Sequence, residues 1–555
     1  MPMSGSDEEA VTDPQPRWLF AVLLLAVGVV HVRGWWGSYV YDDLLLVVQN
    51  TAVRADDVAT LLAKPLFAGV ADYWRPLTML ALWGGHRLGG AFGVHVLAWL
   101  LHLVATAFAW RVARRVLDRP LAAFFAALLF GIHPVQVEGV AWCASLNDPL
   151  WWALGFWCLD AALRSAHATM AVAFALALLA KENAIVLAPL VVVVRWWARL
   201  PLRATAVWLA AVFTAWWLLR AWAFGAVAGG IGHGADDPVA TARWPAAALE
   251  VFGRQLELLV WPWPMSPFRA FDGSVATLLR AAAWSLAWLA AFATAWWCGA
   301  RDRVLALALI GAPIVLAAAF ADRLGPYPIA DRYLGPAVLG AGLLLVGRAP
   351  GRARLVMAAV VAVAAAAASI HQTGIWRDPI RLAERGLEVA PRDPGVLVMA
   401  GNVRLDRGAV GLARQHYERA LAAAAPGAEV RSRIALDARI GLAWCLLRGS
   451  PPQPRAAAAQ FERIVEADPE GAFAWIGLGV ALGMAGDAVR AEQALLRAIE
   501  LAPDDSRAHG NYAYLCYLRG RLDVARAAAQ RAVELDPGNA QAADLLQRLA
   551  GPTMR

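Results

Sequence analysis

The stretch "WLFAVLLLAVGVVHVRGWWGSYVYDD", residues 18–43, joins a membrane-length apolar run to two adjacent carboxylates, Asp42 and Asp43. A carboxylate at the edge of a bilayer is costly unless it stays solvated or serves a function. No small-residue cleavage site follows the apolar run, so we predict an uncleaved anchor rather than a signal peptide. The stretch therefore indicates a membrane protein with a candidate site beside its first span.

The composition of the whole chain is typical of a polytopic membrane protein. Its 555 residues are 60% hydrophobic and only 17% charged, which is too apolar for an ordinary soluble domain. Apolar segments fill residues 18–371, and helices rich in Ala, Arg and Glu follow them. We therefore predict an all-α fold in three parts: a cytoplasmic tail (1–17), a polytopic membrane domain (18–371) and a soluble domain (372–550).

Eleven apolar segments approach the roughly 20 residues that a membrane span needs. They lie at residues 18–36, 93–112, 119–136, 144–163, 168–180, 184–199, 204–223, 275–299, 303–321, 333–347 and 355–371, while 76–90 and 246–263 stay unassigned. With the N-terminus in the cytoplasm, Arg falls in every cytoplasmic loop: 111–119, 164–167, 195–203, 301–303 and 348–354. This positive-inside pattern predicts that the soluble domain is extracytoplasmic; the membrane we expect is the bacterial inner membrane.

The positive charge and the cysteines exclude other classes of protein. The net charge of +7 resides largely in these short loops, where it sets topology, so nucleic acid is not an expected partner. The five cysteines show no metal-ligand spacing, so neither a disulfide framework nor a zinc site is predicted.

The polar C-terminal part contains an internal repeat. Residues of the same type recur at an offset of 34: Gly486 and Gly520, Ala491 and Ala525, Ala498 and Ala532, Pro503 and Pro537. This period, with small residues where paired helices touch and Pro after the second helix, predicts tetratricopeptide repeats. Such arrays form concave surfaces that bind polypeptides; dimerisation or scaffolding is the alternative role.

Polar residues at the ends of the apolar segments are all predicted on the extracytoplasmic face. They are Asp42, Asp43, Arg75, His133, Glu138, Asp148, Lys181, Glu182, Arg332 and Tyr333. Each has an ordinary explanation by itself, such as a helix cap, a snorkelling cation or a solvated pair. Their shared location instead predicts an outward-opening polar cavity that contains carboxylates and the cations Arg75, Lys181 and Arg332.

Such a cavity suits the transfer of a sugar from a lipid phosphate. Nucleotide donors remain in the cytoplasm, and no phosphate-binding Gly-rich loop followed by Lys-Ser/Thr is present. A carboxylate is needed to accept a proton from the attacking hydroxyl, and cations are needed to stabilise the departing phosphate.

At these residues the chain resembles the O-mannosyltransferases that join a GT-C membrane domain to tetratricopeptide repeats, in a bacterial-type form. The resemblance rests on "VYDD", "YWRPLTML", "HPVQVEGVAW" followed by "ND", "AKENAIV" and "ADRYLGP". It implies a catalytic acid at Asp42 or Asp43, a polyprenyl-phosphate mannose donor and a protein Ser/Thr acceptor. Gln136 replaces the second His of the family's HPxHxE pattern, and "SLND" keeps Asp148 but loses the Arg of GRAD.

The resulting hypothesis is an inverting transfer with Asp42 or Asp43 as the base. Arg75, Lys181 and Arg332 are candidates to hold the phosphate, and His133, Glu138 and Asp148 are expected to shape the cavity. The expected partners are the donor lipid, membrane lipid and an acceptor polypeptide bound by the repeats; no cofactor or metal is required, although two carboxylates are compatible with a divalent ion. The alternatives are a surface-glycan ligase or polymerase and a non-enzymatic membrane scaffold.

Overall fold

The protein is entirely helical where it is described. The computed structural model describes residues 17–48, 50, 53, 58, 61, 73–224, 238–321, 327–348, 350–423, 433–536 and 538–550, and no strand occurs among them. The all-α prediction is therefore confirmed. The chain divides into two compact units, Met1–Pro379 and Ile380–Arg555. The predicted cytoplasmic tail, except for Arg17, and the repeat residue Pro537 lie outside the described residues.

The first unit contains thirteen described helices. They are α1 Arg17–His31, α2 Pro76–Val116, α3 Pro120–Ile132, α4 Val137–Ala141, α5 Asn147–Leu163, α6 His167–Ala180, α7 Leu187–Trp197, α8 Arg203–Phe224, α9 Pro238–Val260, α10 Val275–Trp297, α11 Arg301–Ala319, α12 Gly335–Val346 and α13 Arg352–Trp376. Short 3-10 segments connect several of them: Val32–Trp36, Pro134–Gln136, Cys143–Ser145, Glu182–Val186 and Asp331–Leu334. A π-helical turn, Leu44–Val48, follows the acidic pair.

Six described helices are long and apolar enough to cross a membrane, and the bent pair Pro120–Ile132 and Pro134–Ala141 makes a seventh if it is counted as one span. The six are Arg17–Trp36, Pro76–Val116, Arg203–Phe224, Val275–Trp297, Arg301–Ala319 and Arg352–Trp376. The other four predicted segments form the shorter helices α5, α6, α7 and α12. The chain is thus an integral membrane protein.

Helix α2 is longer than the span predicted within it. Residues 76–90, which the sequence pattern leaves unassigned, join 93–112 in one 41-residue element. The element is broken at Gly89 and Gly90, and Gly90 has a φ of 59°. Glycine adopts this left-handed conformation without the steric cost of a side chain. Gly85 lies directly against Gly93 and Val94, so the chain bends sharply at this break and the two halves of the element pack against each other.

The loops that contain the predicted cytoplasmic arginines meet at one edge of the first unit. Arg348 contacts Asp118 at 2.9 Å and Asp302 at 3.8 Å. The indole N–H of Trp197 donates to Asp302 at 2.7 Å. These contacts join the ends of four different helices, and we call this side the arginine edge.

The second unit is a series of antiparallel helix pairs. Its helices are α14 Pro379–Val389, α15 Pro394–Asp406, α16 Val410–Ala423, α17 Arg433–Arg448, α18 Pro454–Ala467, α19 Ala472–Ala485, α20 Ala488–Leu501, α21 Ser506–Leu518, α22 Leu522–Leu535 and α23 Ala540–Ala550. The pair α21–α22 repeats α19–α20, and both members begin 34 residues later. Gly486 and Gly520, with φ of 90° and 75°, end the first helix of each pair.

Helices α9 and α10 approach so closely at Gly253 that a methyl group there is expected to destabilise the first unit. A Cβ at this position would lie 2.3 Å from the carbonyl oxygen of Ala281, which is backbone and has little freedom to move. We expect Gly253→Ala to lower the free energy of unfolding by about 1–3 kcal/mol, measured by thermal unfolding of the solubilised chain. Gly374→Ala is the matched control, because no atom lies within 4 Å of its added Cβ. Equal stability of the two variants would contradict the close packing.

Candidate functional site

Four ion pairs lie at the end of the first unit opposite the arginine edge. They are Arg75–Glu182, Lys181–Asp148, Arg332–Glu138 and Arg269–Asp331, and we call these eight residues the ion-pair cluster. Helix α5 connects the two sides, since it begins beside Asp148 and ends beside Arg164. Its 17 residues span about 25 Å, which is close to the thickness of the hydrocarbon layer of a membrane.

Lys181 and Asp148 form a buried and saturated pair. The ammonium group lies 2.6 Å from Oδ1 of Asp148. Asp148 also accepts hydrogen bonds from Ser145 Oγ at 2.7 Å and Trp151 Nε1 at 3.1 Å. Because so many partners already surround its carboxylate, Asp148 is best explained as a group that holds α5 and the start of the Glu182–Val186 turn together.

Arg75 and Glu182 form a second pair, with a bidentate geometry. Arg75 Nε donates to one carboxylate oxygen at 2.8 Å, and Nη2 contacts the other oxygen. Arg75 also lies over the ring of Tyr73, 4.4 Å from its centre. Burial by itself would raise the pKa of Glu182, but the charge and hydrogen bonds of Arg75 outweigh burial and hold that pKa well below its usual range.

Arg332 is the most accessible cation of the cluster. Its side chain is 21% exposed, against 10% for Arg75, 5% for Lys181 and 4% for Arg269. Glu138 contacts the Arg332 guanidinium through one oxygen and accepts the N–H of Asp331 through the other, at 2.9 Å. Glu138 therefore orients Arg332 while leaving part of its guanidinium open.

Aromatic rings surround the Arg332 guanidinium. It lies 5.2 Å from the ring centre of Trp142 and 5.0 Å from that of Tyr333. A small cavity adjoins this group, and its lining includes Asp148, Trp151, Asn183, Arg332 and Tyr333. The cavity is too small for a phosphate, so the partly exposed guanidinium is the feature that an anionic group can contact.

Asp43 is a structural acid that fixes the loop before it. One carboxylate oxygen accepts the N–H of Val40 at 2.9 Å, and the other accepts the N–H of Ala144 at 2.6 Å. The side chain is fully buried. Burial raises the pKa of Asp43 to about 7, although these backbone N–H groups oppose the shift. Asp43 thus ties residues 37–43 to the Cys143–Ser145 turn.

Asp42 differs from its neighbour because its carboxylate has no such anchor. It is half-buried, and it accepts no side-chain hydrogen bond from the residues that the structure describes. Burial raises the pKa of Asp42 to about 6, and the charge of Arg332 opposes the shift. Asp42 is therefore a carboxylate with raised basicity, in electrostatic contact with the most accessible cation of the cluster.

Two residues of the "HPVQVEG" motif, His133 and Gln136, stabilise the local backbone. His133 accepts the N–H of Val135 at 3.4 Å through its ring and so caps the Pro134–Gln136 turn. Gln136 donates to the carbonyl oxygens of Phe130 and Gly335, at 3.0 and 3.2 Å, and is buried. Of the predicted site residues in this motif, the described contacts thus bring Glu138 into the cluster but not His133.

Three residues in or beside the cluster are absent from the predicted site residues: Arg269, Asp331 and Trp142. Arg269 pairs with Asp331 at 2.7 Å and donates to the carbonyl oxygen of Pro264. Trp142 lies against Arg332 and also stacks on Trp376, with ring centres 5.7 Å apart. Arg269 lies in the irregular segment between α9 and α10, where no periodicity marks it. The only sequence signal for Trp142 is its place at the end of "HPVQVEGVAW".

Comparison with known proteins identifies the repeats and a group of relatives. The tetratricopeptide repeat family matches residues 453–506 and 485–540. Protein O-mannosyl-transferase Tmtc2 of Drosophila melanogaster is 33% identical over 126 residues, which cover 20% of this chain and 13% of the relative. Tmtc1 of the same organism is 32% identical over 122 residues, covering 20% and 14%. Human TMTC4 is 30% identical over 158 residues, covering 24% and 21%.

Two solved structures of tetratricopeptide repeat proteins are similar to part of the chain. A tetratricopeptide repeat protein of Thermus thermophilus, TTC0263, is 22% identical, covers 35% of this chain and 92% of its own, and has a TM-score of 0.27. The tetratricopeptide repeat protein YrrB is 20% identical, with 30% and 81% coverage and a TM-score of 0.23.

These findings place the chain among integral membrane proteins that carry tetratricopeptide repeats. The resemblance stated from the sequence is confirmed: the chain is related to the Tmtc protein O-mannosyl-transferases. The matched segments span 13–21% of the length of these relatives.

If Lys181 and Asp148 act mainly as a structural pair, removing the cation alone is costly. Lys181→Met leaves the buried Asp148 without its ion-pair partner, and Arg332 and Arg75 compensate its charge only in part, so we expect a loss of up to about 3–5 kcal/mol in the free energy of unfolding. Adding Asp148→Asn removes that charge and keeps partners for Ser145 and Trp151, so the double variant should regain most of the loss. Thermal or denaturant unfolding of the solubilised variants measures both effects.

The matched control is Arg414→Met, which breaks the exposed Arg414–Glu418 pair and should change stability by less than about 1 kcal/mol. A double variant as unstable as Lys181→Met would contradict the pairing argument.

Proposed function

We propose that the chain is a membrane glycosyltransferase that moves mannose from a polyprenyl-phosphate donor to a Ser/Thr hydroxyl of a protein. The observation that supports the proposal is that the acidic residues at and beside the ion-pair cluster differ in their ion-pair and hydrogen-bond partners. Glu138, Asp148, Glu182 and Asp331 each pair with a cation, and Asp43 binds backbone N–H groups. Among the described acids at this end, Asp42 remains available to a substrate.

In the proposed reaction Asp42 is the general base and the donor's phosphate leaves. The acceptor oxygen attacks the anomeric carbon from the face opposite the phosphate, and Asp42 takes the hydroxyl proton. The bond between the anomeric carbon and the phosphate oxygen breaks, and its electron pair stays on the polyprenyl phosphate. One displacement at the anomeric carbon inverts its configuration. Asp42 ends protonated, and water regenerates it.

Arg332 is the best placed of the three predicted cations to stabilise the departing phosphate. Its guanidinium is partly exposed, and Glu138 fixes its orientation. A positioned cation lowers the barrier because it interacts more strongly with the charge that develops on the leaving group than with the donor. Arg75 forms an ion pair with Glu182, and Lys181 forms one with Asp148. In this proposal these two cations contribute to the electrostatic potential at the phosphate without contacting it.

The proposed cellular arrangement places the reaction outside the cytoplasm of a bacterium, at its inner membrane. What supports it is the separation of the arginine edge from the ion-pair cluster, because arginine-rich loops favour the cytoplasmic side. The chain leaves the first unit beside the cluster, where the carbonyl oxygen of Arg377 accepts the N–H of Ser38 at 3.1 Å. The repeats that follow are proposed to present the acceptor polypeptide on that same side.

The test of the base is Asp42→Asn, assayed by transfer of labelled mannose from a polyprenyl-phosphate donor in membranes. General-base assistance contributes roughly 10²- to 10⁴-fold, so we expect the transfer rate to fall by that factor without loss of thermal stability, because Asn removes the buried charge. The matched control is Asp118→Asn at the arginine edge, where the acid is 61% exposed, and this variant should keep its activity.

Full transfer activity in Asp42→Asn would refute the assignment of the base. Mass spectrometry of the products tests the acceptor: labelled surface glycan in place of labelled protein would refute protein mannosylation and identify a glycan ligase.

The pH dependence of transfer follows from the ionisation of the same group. Because the pKa of Asp42 is raised to about 6, the basic form is lost below that value. We expect the rate to rise about tenfold per pH unit below pH 6 and to level off above it. A rate that is independent of pH between 4.5 and 6 in the unmodified enzyme would contradict the role of Asp42.

A further inference from the structure

A second charged cluster lies at the arginine edge, and it holds more cations than its single acid requires. Asp160, near the end of α5, has a fully buried side chain. It contacts Arg111 Nη2 at 3.0 Å, Arg115 Nε at 2.7 Å and Arg164 Nε at 3.1 Å. We call these three arginines the arginine triad.

The arginine triad carries more positive charge than the neighbouring negative groups neutralise. Asp160 offsets one of the three charges. Helices α2 and α5 both end here, and each helix C-terminus contributes about half a negative charge. A surplus of about one positive charge therefore remains. It lies on side chains that are 35–50% exposed, so it is accessible to a ligand.

The guanidinium groups also retain unused hydrogen-bond donors. Arg115 and Arg164 each reach Asp160 through Nε, which leaves their terminal nitrogens available for other acceptors. A guanidinium presents its N–H groups as a planar fork that matches two oxygens of a phosphate. The triad thus has both the charge and the donor geometry for a phosphate group.

The surroundings of the triad match the interfacial layer of a membrane. Arg111 lies over the ring of Phe108, 5.8 Å from its centre, and Phe108 stacks on Trp157. Tryptophan and arginine are typical of the level where lipid headgroups lie. The triad is one helix length away from Asp42, so a ligand there is separate from the donor lipid of the proposed reaction.

We infer that the arginine triad binds the phosphodiester of an anionic phospholipid in the leaflet at the arginine edge. The lipid phosphate takes up the remaining positive charge, and its acyl chains lie against the apolar surface of α2, where Leu100 and Val104 are exposed. The inference does not depend on the proposed transferase activity.

The experiment compares phospholipids on the purified full chain in detergent. Short-chain phosphatidylglycerol, phosphatidylcholine and inorganic phosphate are each titrated, the unfolding midpoint is followed, and retained lipid is counted by native mass spectrometry. The test variant is Arg111→Gln/Arg164→Gln, which leaves the 2.7 Å Arg115–Asp160 pair intact. The control is Arg348→Gln/Arg352→Gln, which removes equal charge from the same edge.

We expect phosphatidylglycerol to raise the unfolding midpoint and to remain bound, with at least a tenfold weaker effect in the test variant and an unchanged effect in the control. Equal binding by the test variant, or an equal loss in the control, would overturn the site. An equal effect of inorganic phosphate would overturn the assignment to a lipid.

A further variant keeps the test informative if the double variant fails to fold. Arg111→Gln/Arg115→Gln/Arg164→Gln combined with Asp160→Asn removes the buried acid together with its cations, so no buried charge remains unpaired. It should fold and lose the response to phosphatidylglycerol, and a retained response would overturn the inference.

Discussion

The need to pair every buried charge determines the architecture of one end of the membrane unit. An isolated ion in a low-dielectric interior costs several kcal/mol, so each cation of the ion-pair cluster lies against a carboxylate. The partners come from distant parts of the chain: Lys181 and Asp148 are 33 residues apart, and Arg332 and Glu138 are 194 apart. Pairing therefore fixes the relative positions of helix ends that the apolar packing of the spans leaves free to slide.

The same constraint separates residues that hold the structure from residues that remain open to a substrate. Lys181, Asp148 and Asp43 are buried among several partners. Asp42 and Arg332 retain exposure, and each interacts electrostatically with the other. The burial that raises the pKa of Asp42 has a cost for folding: its stabilising contribution is complete below about pH 4 and is lost as the pH rises through 6.

The sequence predicts the fold and the members of the site better than it predicts their contacts. Apolar length and the 34-residue period indicate membrane helices and repeats because the bilayer and helix stacking impose those patterns directly. Asp43 differs from Asp42 because backbone donors, such as the N–H of Ala144, bind its carboxylate. The pattern of side chains along the sequence does not reveal these backbone contacts. Arg269 lies in a segment without regular secondary structure, and His133 caps a local turn. No pattern in the sequence predicts either contact.

The hydrogen bonds of Asp43 to Val40 and Ala144 have an evolutionary consequence. They position the backbone of the neighbouring residue, so the carboxylate of Asp42 holds no hydrogen bond on which the described part of the fold depends. A lineage that exchanges this one side chain keeps a folded membrane protein with its repeats. A single substitution then removes catalysis and leaves the fold intact, so an enzyme of this architecture can give rise to a descendant that only binds its ligands.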